Sequence, residues 1–130
     1  MKHYNVVAAI IYNTNKYLCV QKGKSRYEYV SFKYEFPGGK VEKGESKEQA
    51  LRREIEEELQ MVISVEDLFT TVHHKYPDFA ITMDSYFCST SSPSLQLCEH
   101  VSFRWLEKKD LHLLDWAAAD IPIVKKLQVG

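Results

Sequence analysis

The chain has 130 residues, 45% apolar and 27% charged, with 17 Lys and Arg against 18 Asp and Glu for a formal charge of −1. That length accommodates one core, that composition excludes wholesale disorder, and that balance offers no basic surface for a nucleic-acid polymer or an anionic membrane. The neutral sum conceals a cluster: Glu42 to Glu58 holds seven Glu against four basic residues, a local charge of −3, so the remainder carries +2.

A single domain over residues 1–130 is therefore expected. Its first strand spans Tyr4 to Tyr12, rich in β-branched and aromatic residues, and ends at the turn cluster Asn13-Thr14-Asn15. Tyr17 to Gln21 follows as a second strand, completing a hairpin. The apolar run inside the first strand, Val6 to Ile11, is too short for a signal sequence or a membrane span, which makes a cytoplasmic location the expectation. Cys19, Cys88 and Cys98 are odd in number and show no C-x-x-C spacing, so all three read as reduced, buried thiols.

Lys22 to Lys33 is polar with scattered aromatics and reads as an irregular loop, longer than most connections. Pro37-Gly38-Gly39-Lys40 reads as a flexible turn that brings backbone close to a ligand, with a cation beside it. A helix is predicted over Lys47 to Leu59. Ser46 and Gln49 have capping-box spacing, in which each side chain satisfies an orphan N–H of the first turn, and Leu51, Ile55 and Leu59 form an apolar stripe. Strands are predicted at Glu66 to Lys75 and Ala80 to Thr90, hinged at Tyr76-Pro77-Asp78-Phe79. A Ser/Thr/Pro loop over Ser89 to Ser94, a strand at Val101 to Leu106 and a closing helix at Ile121 to Leu127 follow. Hairpin, helix, hairpin, strand, helix is an α+β order with a mixed sheet.

Glu54, Glu57 and Glu58 stand at i, i+3 and i+4, so the three carboxylates share a helix sector about 100° wide, its centre about 100° from the apolar stripe. Like charges so spaced repel, and Arg53, four residues before Glu57, cannot neutralise all three. A solvated face is one reading of such a run. Clustered carboxylates at the rim of a core, next to two glycines and Lys40, are the other, and they suit a divalent cation carrying phosphate. Mg2+ fits better than zinc because neither His nor Cys occurs from Gly38 to Met61.

The stretch GGKVEKGESKEQALRREIEEELQM, Gly38 to Met61, closely resembles the Nudix box, G-x5-E-x7-R-E-U-x-E-E-x-G-U with U aliphatic. Gly39, Glu45, Arg53, Glu54, Ile55, Glu57, Glu58 and Met61 match, eight of the nine defined positions; Gln60 stands where the family usually has the helix-ending glycine. Glu35 to Lys40, Tyr76-Pro77-Asp78, Ile81-Thr82 and Trp116 to Pro122 extend the likeness to the MutT and CTP pyrophosphohydrolase branch, over nearly the whole chain.

The resemblance implies the Nudix αβα sandwich, a mixed sheet between helices, and Mg2+-dependent release of nucleoside monophosphate and pyrophosphate from a nucleoside triphosphate, with Mn2+ as a substitute. It implies Glu54, Glu57, Glu58 and the Gly38 carbonyl as metal ligands, Glu99 as a further metal-site and catalytic carboxylate, and Arg53 as the residue orienting the glutamates. Glu54 and Glu99 are both candidates for the general base. Glu45 is implied as a helix-start support. Lys40 is implied at the phosphates, with Lys22 and Arg26 replacing an Arg that MutT carries where this chain has Phe79. Asp120 falls where the branch reads the base. An ionised Asp accepts from an exocyclic amino group, as of cytosine, and a protonated one also donates to an oxidised purine.

CTP, dCTP or modified cytosine nucleotides are thus the expected substrates, with 8-oxo-dGTP as the alternative. Phe36, Phe79 and Tyr4 are candidates for stacking on a base. His73 and His74, on opposite strand faces, read as structural, and His100 reads as an ordinary loop residue or a support for Glu99. A small-molecule nucleotide partner and a monomer or homodimer are expected. A Nudix module that binds a nucleotide without turnover, and an acidic helix merely holding Ca2+, are the rival readings; all box carboxylates are present and no EF-hand loop occurs.

Overall fold

The computed structural model describes Met1 to Gly130. Its backbone runs β1 (Lys2–Asn13), β2 (Lys16–Gln21), β3 (Tyr34–Glu35), β4 (Gly38–Lys40), α1 (Lys47–Leu59), β5 (Ser64–Lys75), β6 (Phe79–Ser89), β7 (Ser102–Glu107) and α2 (Ile121–Val129). The predicted strands and the closing helix lie within two residues of these bounds, and α1 has the predicted ones. Thr14 and Asn15, both at positive φ (50° and 64°), close the β1–β2 hairpin in the left-handed geometry that matches strand twist.

The sheet order is β3-β2-β1-β6-β5, with β4 also on β1 and β7 also on β2. β1 pairs in parallel with β6 along nearly its whole length, from Lys2↔Phe79 to Tyr12↔Ser89, and antiparallel with β2 and β4, so the sheet is mixed. Alternation along β1 sorts its side chains between two cores. Val7, Ala9 and Ile11 meet Leu51, Ile55 and Leu59 of α1 on one face; Ala8 and Ile10 join Ile123, Val124 and Leu127 of α2 on the other. A central strand covered on both faces needs a continuous apolar run, which explains Val6 to Ile11. No helix is long and apolar enough to cross a membrane.

The fold differs from the elements and thiol burial expected of the sequence at three places. Pro37 to Lys40 is not a flexible turn: Gly38–Lys40 is β4, in register with Val6, Val7 and Ala8. The glycines serve close packing, because a Cβ at Gly38 would overlap the Val7 carbonyl oxygen. The loop Lys22 to Lys33 contains a 3₁₀ turn, Glu28–Val30, and is followed by the short β3. Cys19 and Cys88 are buried in β2 and β6, where desolvation pushes each thiol up to about 12, but Cys98 is exposed in the loop before β7.

Candidate active site

The site begins with how α1 is held. Ser46 Oγ accepts from Gln49 N–H (3.1 Å) and Gln49 Oε1 accepts from Ser46 N–H (2.9 Å), so the capping box forms as spaced. Lys47 reaches from the first turn to Asp84 on β6, whose buried carboxylate also accepts from Thr71. At the other end Gln60 takes the left-handed conformation (φ 51°, ψ 43°) in place of glycine, its N–H donating to Glu56 O (2.9 Å).

Arg53 is the hub of the acidic face. Its Nε and Nη2 donate to the two oxygens of Glu45 (2.7 and 2.9 Å), its Nη1 to Glu54 (2.8 Å) and Glu57 (3.3 Å), and its Nη2 also to the Lys40 carbonyl (3.2 Å). One guanidinium thus ties α1 to the chain entering it and to β4, using the planar fork that suits carboxylates. The Arg53 hydrogen bonds, helped by the Glu42 N–H, lower the Glu45 pKa to about 2. The same carboxylates raise that of Arg53.

The three helix glutamates are unequal. Glu57 is 55% exposed, Glu54 17% and Glu58 4%. Gly39 abuts Glu54 so closely that a Cβ there would overlap its carboxyl group. Glu58 Oε1 is buried without a hydrogen-bond partner. Burial first, then the Glu54 hydrogen bond and the charges of Glu35, Glu54 and Glu99, hold the Glu58 pKa far above the carboxylate range. No three of these side chains are already gathered tightly enough to hold an ion, because like charges repel and Arg53 draws Glu54 and Glu57 to itself. The donors nonetheless fit a hard divalent cation: oxygen only, crowded in charge, with one buried oxygen left over.

β4 also floors a pocket of about 430 Å3. Tyr4, Tyr27, Tyr76 and Phe79 make an aromatic wall in which Phe79 packs against the other three rings at 5.1 to 6.0 Å. Lys22, Arg26 and Lys40 bring positive charge, Lys40 with its ammonium 4.0 Å from the Tyr4 ring centroid. Asp120 closes the inner end, 5% exposed, its Oδ1 accepting from Phe36 N–H (3.0 Å). Burial and then the Glu35 charge raise the Asp120 pKa well above normal, against the opposing effects of the Phe36 N–H and Lys22.

Sequence-predicted residues thus fall into two adjoining groups: Lys22, Arg26, Phe36, Gly38, Lys40, Phe79 and Asp120 line the pocket, and Arg53, Glu54, Glu57 and Glu58 lie on α1 behind β4. Glu99 stands exposed in the loop before β7, near enough for its charge to act on Glu58. Phe36 departs from expectation: it is 3% exposed with its ring stacked on Trp116 at 4.7 Å, so it is pocket wall rather than a free stacking ring. His100 is not an ordinary loop residue, because its ring is buried and bonded to Glu35 (2.9 Å). Glu35, Tyr27 and Tyr76 line the pocket as well, a role not predicted for them; Tyr27 beside Arg26, and Tyr76 in the turn between the two later strands, were the available signals.

Comparison with known proteins follows the same lines. The NUDIX domain family model matches residues 1–127. A protein of Escherichia coli (strain K12) described as CTP pyrophosphohydrolase is 32% identical over 96% of this chain and 91% of its own. One described as 8-oxo-dGTP diphosphatase, from the same organism, is 29% identical over 98% of both. The solution structure of MutT, a Nudix hydrolase from methicillin-resistant Staphylococcus aureus 252, is 41% identical over 99% of this chain and 98% of its own, with a TM-score of 0.76.

Proposed function

Because this chain belongs to the Nudix family of hydrolases, and is a pyrophosphohydrolase acting on nucleotides, we propose that it converts a cytosine nucleoside triphosphate to the monophosphate and pyrophosphate with Mg2+. One observation carries the reading: a nucleotide-sized pocket ends on β4, and the Glu54 carboxyl group touches the other side of that strand at Gly39. A base held at Asp120 directs its phosphates past Lys22 and Lys40 toward the helix glutamates.

Glu54, Glu57, Glu58, Glu99 and the Gly38 carbonyl hold the cation in this proposal. When bound, Mg2+ neutralises charge on the nonbridging oxygens and orients the attacking water. Arg53 fixes Glu54 and Glu57, Lys22, Lys40 and Arg26 bind phosphate, and Glu54 or Glu99 takes the water proton. Asp120 reads the base: its acid form, which burial favours, presents one donor and one acceptor, matching N3 and the N4 amino group of cytosine. The same pair suits O6 and the N7–H of an 8-oxopurine, so 8-oxo-dGTP is the second reading, favoured by the relative of that name.

The experiment is Mg2+-dependent pyrophosphate release from a panel containing CTP, dCTP, 8-oxo-dGTP, ADP-ribose and dinucleoside polyphosphates. The highest kcat/KM is expected with CTP or dCTP, and Glu57→Gln or Glu58→Gln is expected to lower turnover by orders of magnitude with the fold retained. Near-normal turnover in either variant sinks the metal-site assignment, and a preference for ADP-ribose sinks the triphosphate reading.

A further inference from the structure

Only two buried side-chain polar atoms in the chain lack a hydrogen-bond partner, Glu58 Oε1 and His100 Nδ1. Their side chains meet at the acidic cluster, where His100 Nε2 lies 3.9 Å from Glu58 Oε1. Buried polar groups are ordinarily paired, so two exceptions at one point need a reason.

The ring's one hydrogen bond goes to the pocket. His100 Nε2 is 2.9 Å from Glu35 Oε2, so a proton on Nε2 donates to that carboxylate oxygen. Glu35 ends β3, opposite Val20 of β2, and lines the pocket. Its charge acts on Asp120 at one side and on Glu58 at the other. It is therefore the acid through which the base pocket adjoins the helix glutamates.

The backbone around His100 is pinned on both sides. Gln96 N–H donates to Leu59 O, Cys98 N–H to Glu58 O and Val101 N–H to Gln21 O, each at 3.0 Å. The first two bonds satisfy carbonyls that the last turn of α1 leaves open. Packing alone is better served by an apolar ring, which carries no unpaired nitrogen into the interior.

We propose that His100 is a positioning residue, whose Nε2–H fixes the Glu35 carboxylate where the nucleotide pocket meets the helix glutamates. The inference rests on reading this cluster as the hydrolytic site. It makes His100 act through Glu35, without touching substrate.

Imidazole 15N–1H correlation spectra test the bond with no turnover needed. His100 is expected to carry a proton on Nε2, with the Nε2–H signal displaced in Glu35→Ala; an Nε2 without a proton overturns the proposal. Kinetics use whichever nucleotide the wild-type protein hydrolyses. His100→Leu is expected to lower kcat roughly 10- to 100-fold with little change in KM, the size of effect usual for residues that orient an active-site group.

His100→Gln carries an amide donor at the reach of Nε2 and is expected to recover most of the loss. In the double variant His100→Leu/Glu35→Ala the losses are expected not to add. A folded His100→Gln as slow as His100→Leu, additive losses, or unchanged kcat in His100→Leu each overturn the proposal. If the wild-type chain hydrolyses nothing in the panel, the functional reading fails, and the spectra still decide the His100–Glu35 bond.

Discussion

Asp120 shows how a carboxyl group is made to recognise a base. Burial disfavours its charged form, and the nearby Glu35 disfavours it further, while the Phe36 N–H and Lys22 only partly compensate. A raised pKa means that the proton is kept to higher pH than in water, and the acid form donates as well as accepts. As pH rises through that pKa the donor is lost and one of the two bonds to the base goes with it. The expected outcome is a fall in kcat/KM for CTP on the alkaline side, by about tenfold or more for one lost bond to a base edge. Asp120→Asn keeps both a donor and an acceptor at all pH values and is expected to flatten that limb. A pH profile identical in the two proteins removes Asp120 from base recognition.

At the scale of elements, α1 shows what the sequence reveals and what it hides. The cap at Ser46 and Gln49, the stripe of Leu51, Ile55 and Leu59 and the carboxylate face all follow from helical period and capping chemistry, which are local. Gln60 is local too: a side chain in the left-handed region costs about 1 kcal/mol that glycine avoids. Gln60→Gly is therefore expected to raise stability by up to about 1 kcal/mol, partly offset by the looser unfolded chain, with turnover unchanged. A lower denaturation midpoint for Gln60→Gly refutes this account of the helix end.

The strap between Lys47 and Asp84 was invisible in the sequence, because it joins residues 37 positions apart across α1 and β6. Burial alone raises the Asp84 pKa, but the bonds to Lys47 and Thr71 and the Lys47 charge outweigh it, and the net shift is downward. A depressed carboxylate pKa contributes stability above the unfolded value near ~3.9, and that contribution is lost as pH falls through the folded value. Lys47→Met leaves Asp84 buried with Thr71 alone. The expected cost at neutral pH is about 1–3 kcal/mol, toward the lower end because Lys47 is half-exposed, shrinking in strongly acid solution. Urea melts at neutral and acid pH measure it; an equal loss at both removes the charge from the explanation.

Across the whole molecule, what sequence made legible is what repeats locally or matches a spaced motif: the α+β order, α1 and its glutamates, Asp120 at the pocket. Glu35 and His100 were not legible in their roles, since nothing in residues 33–37 or 98–102 announces that they meet. The loop that follows β6 must first return to the end of α1 before His100 reaches Glu35. The flexible turn expected at Pro37 to Lys40 fails for the same reason. Glycine pairs usually mark turns, and only the approach of β4 to β1 shows that no side chain fits.

The local charge of −3 between Glu42 and Glu58 has a consequence for the molecule as a whole. Simple salt screens exposed charges such as Glu57 but reaches buried Glu58 poorly. A ligand that binds only the folded state stabilises it by RT ln(1 + [L]/Kd), about 2.7 kcal/mol at a concentration 100 times Kd. Millimolar MgCl2 is therefore expected to raise the Tm of the wild-type protein by several degrees beyond NaCl of equal ionic strength, and EDTA to reverse the gain. Glu58→Gln keeps the shape of the buried side chain whose Oε1 lacks a partner but cannot become the anion that a cation requires. Without Mg2+ that variant is expected to melt at or above the wild-type temperature, and with Mg2+ to gain less. An equal response of both proteins to Mg2+ takes Glu58 out of the ion site, and an equal response of the wild type to NaCl reduces the acidic face to ordinary screened repulsion.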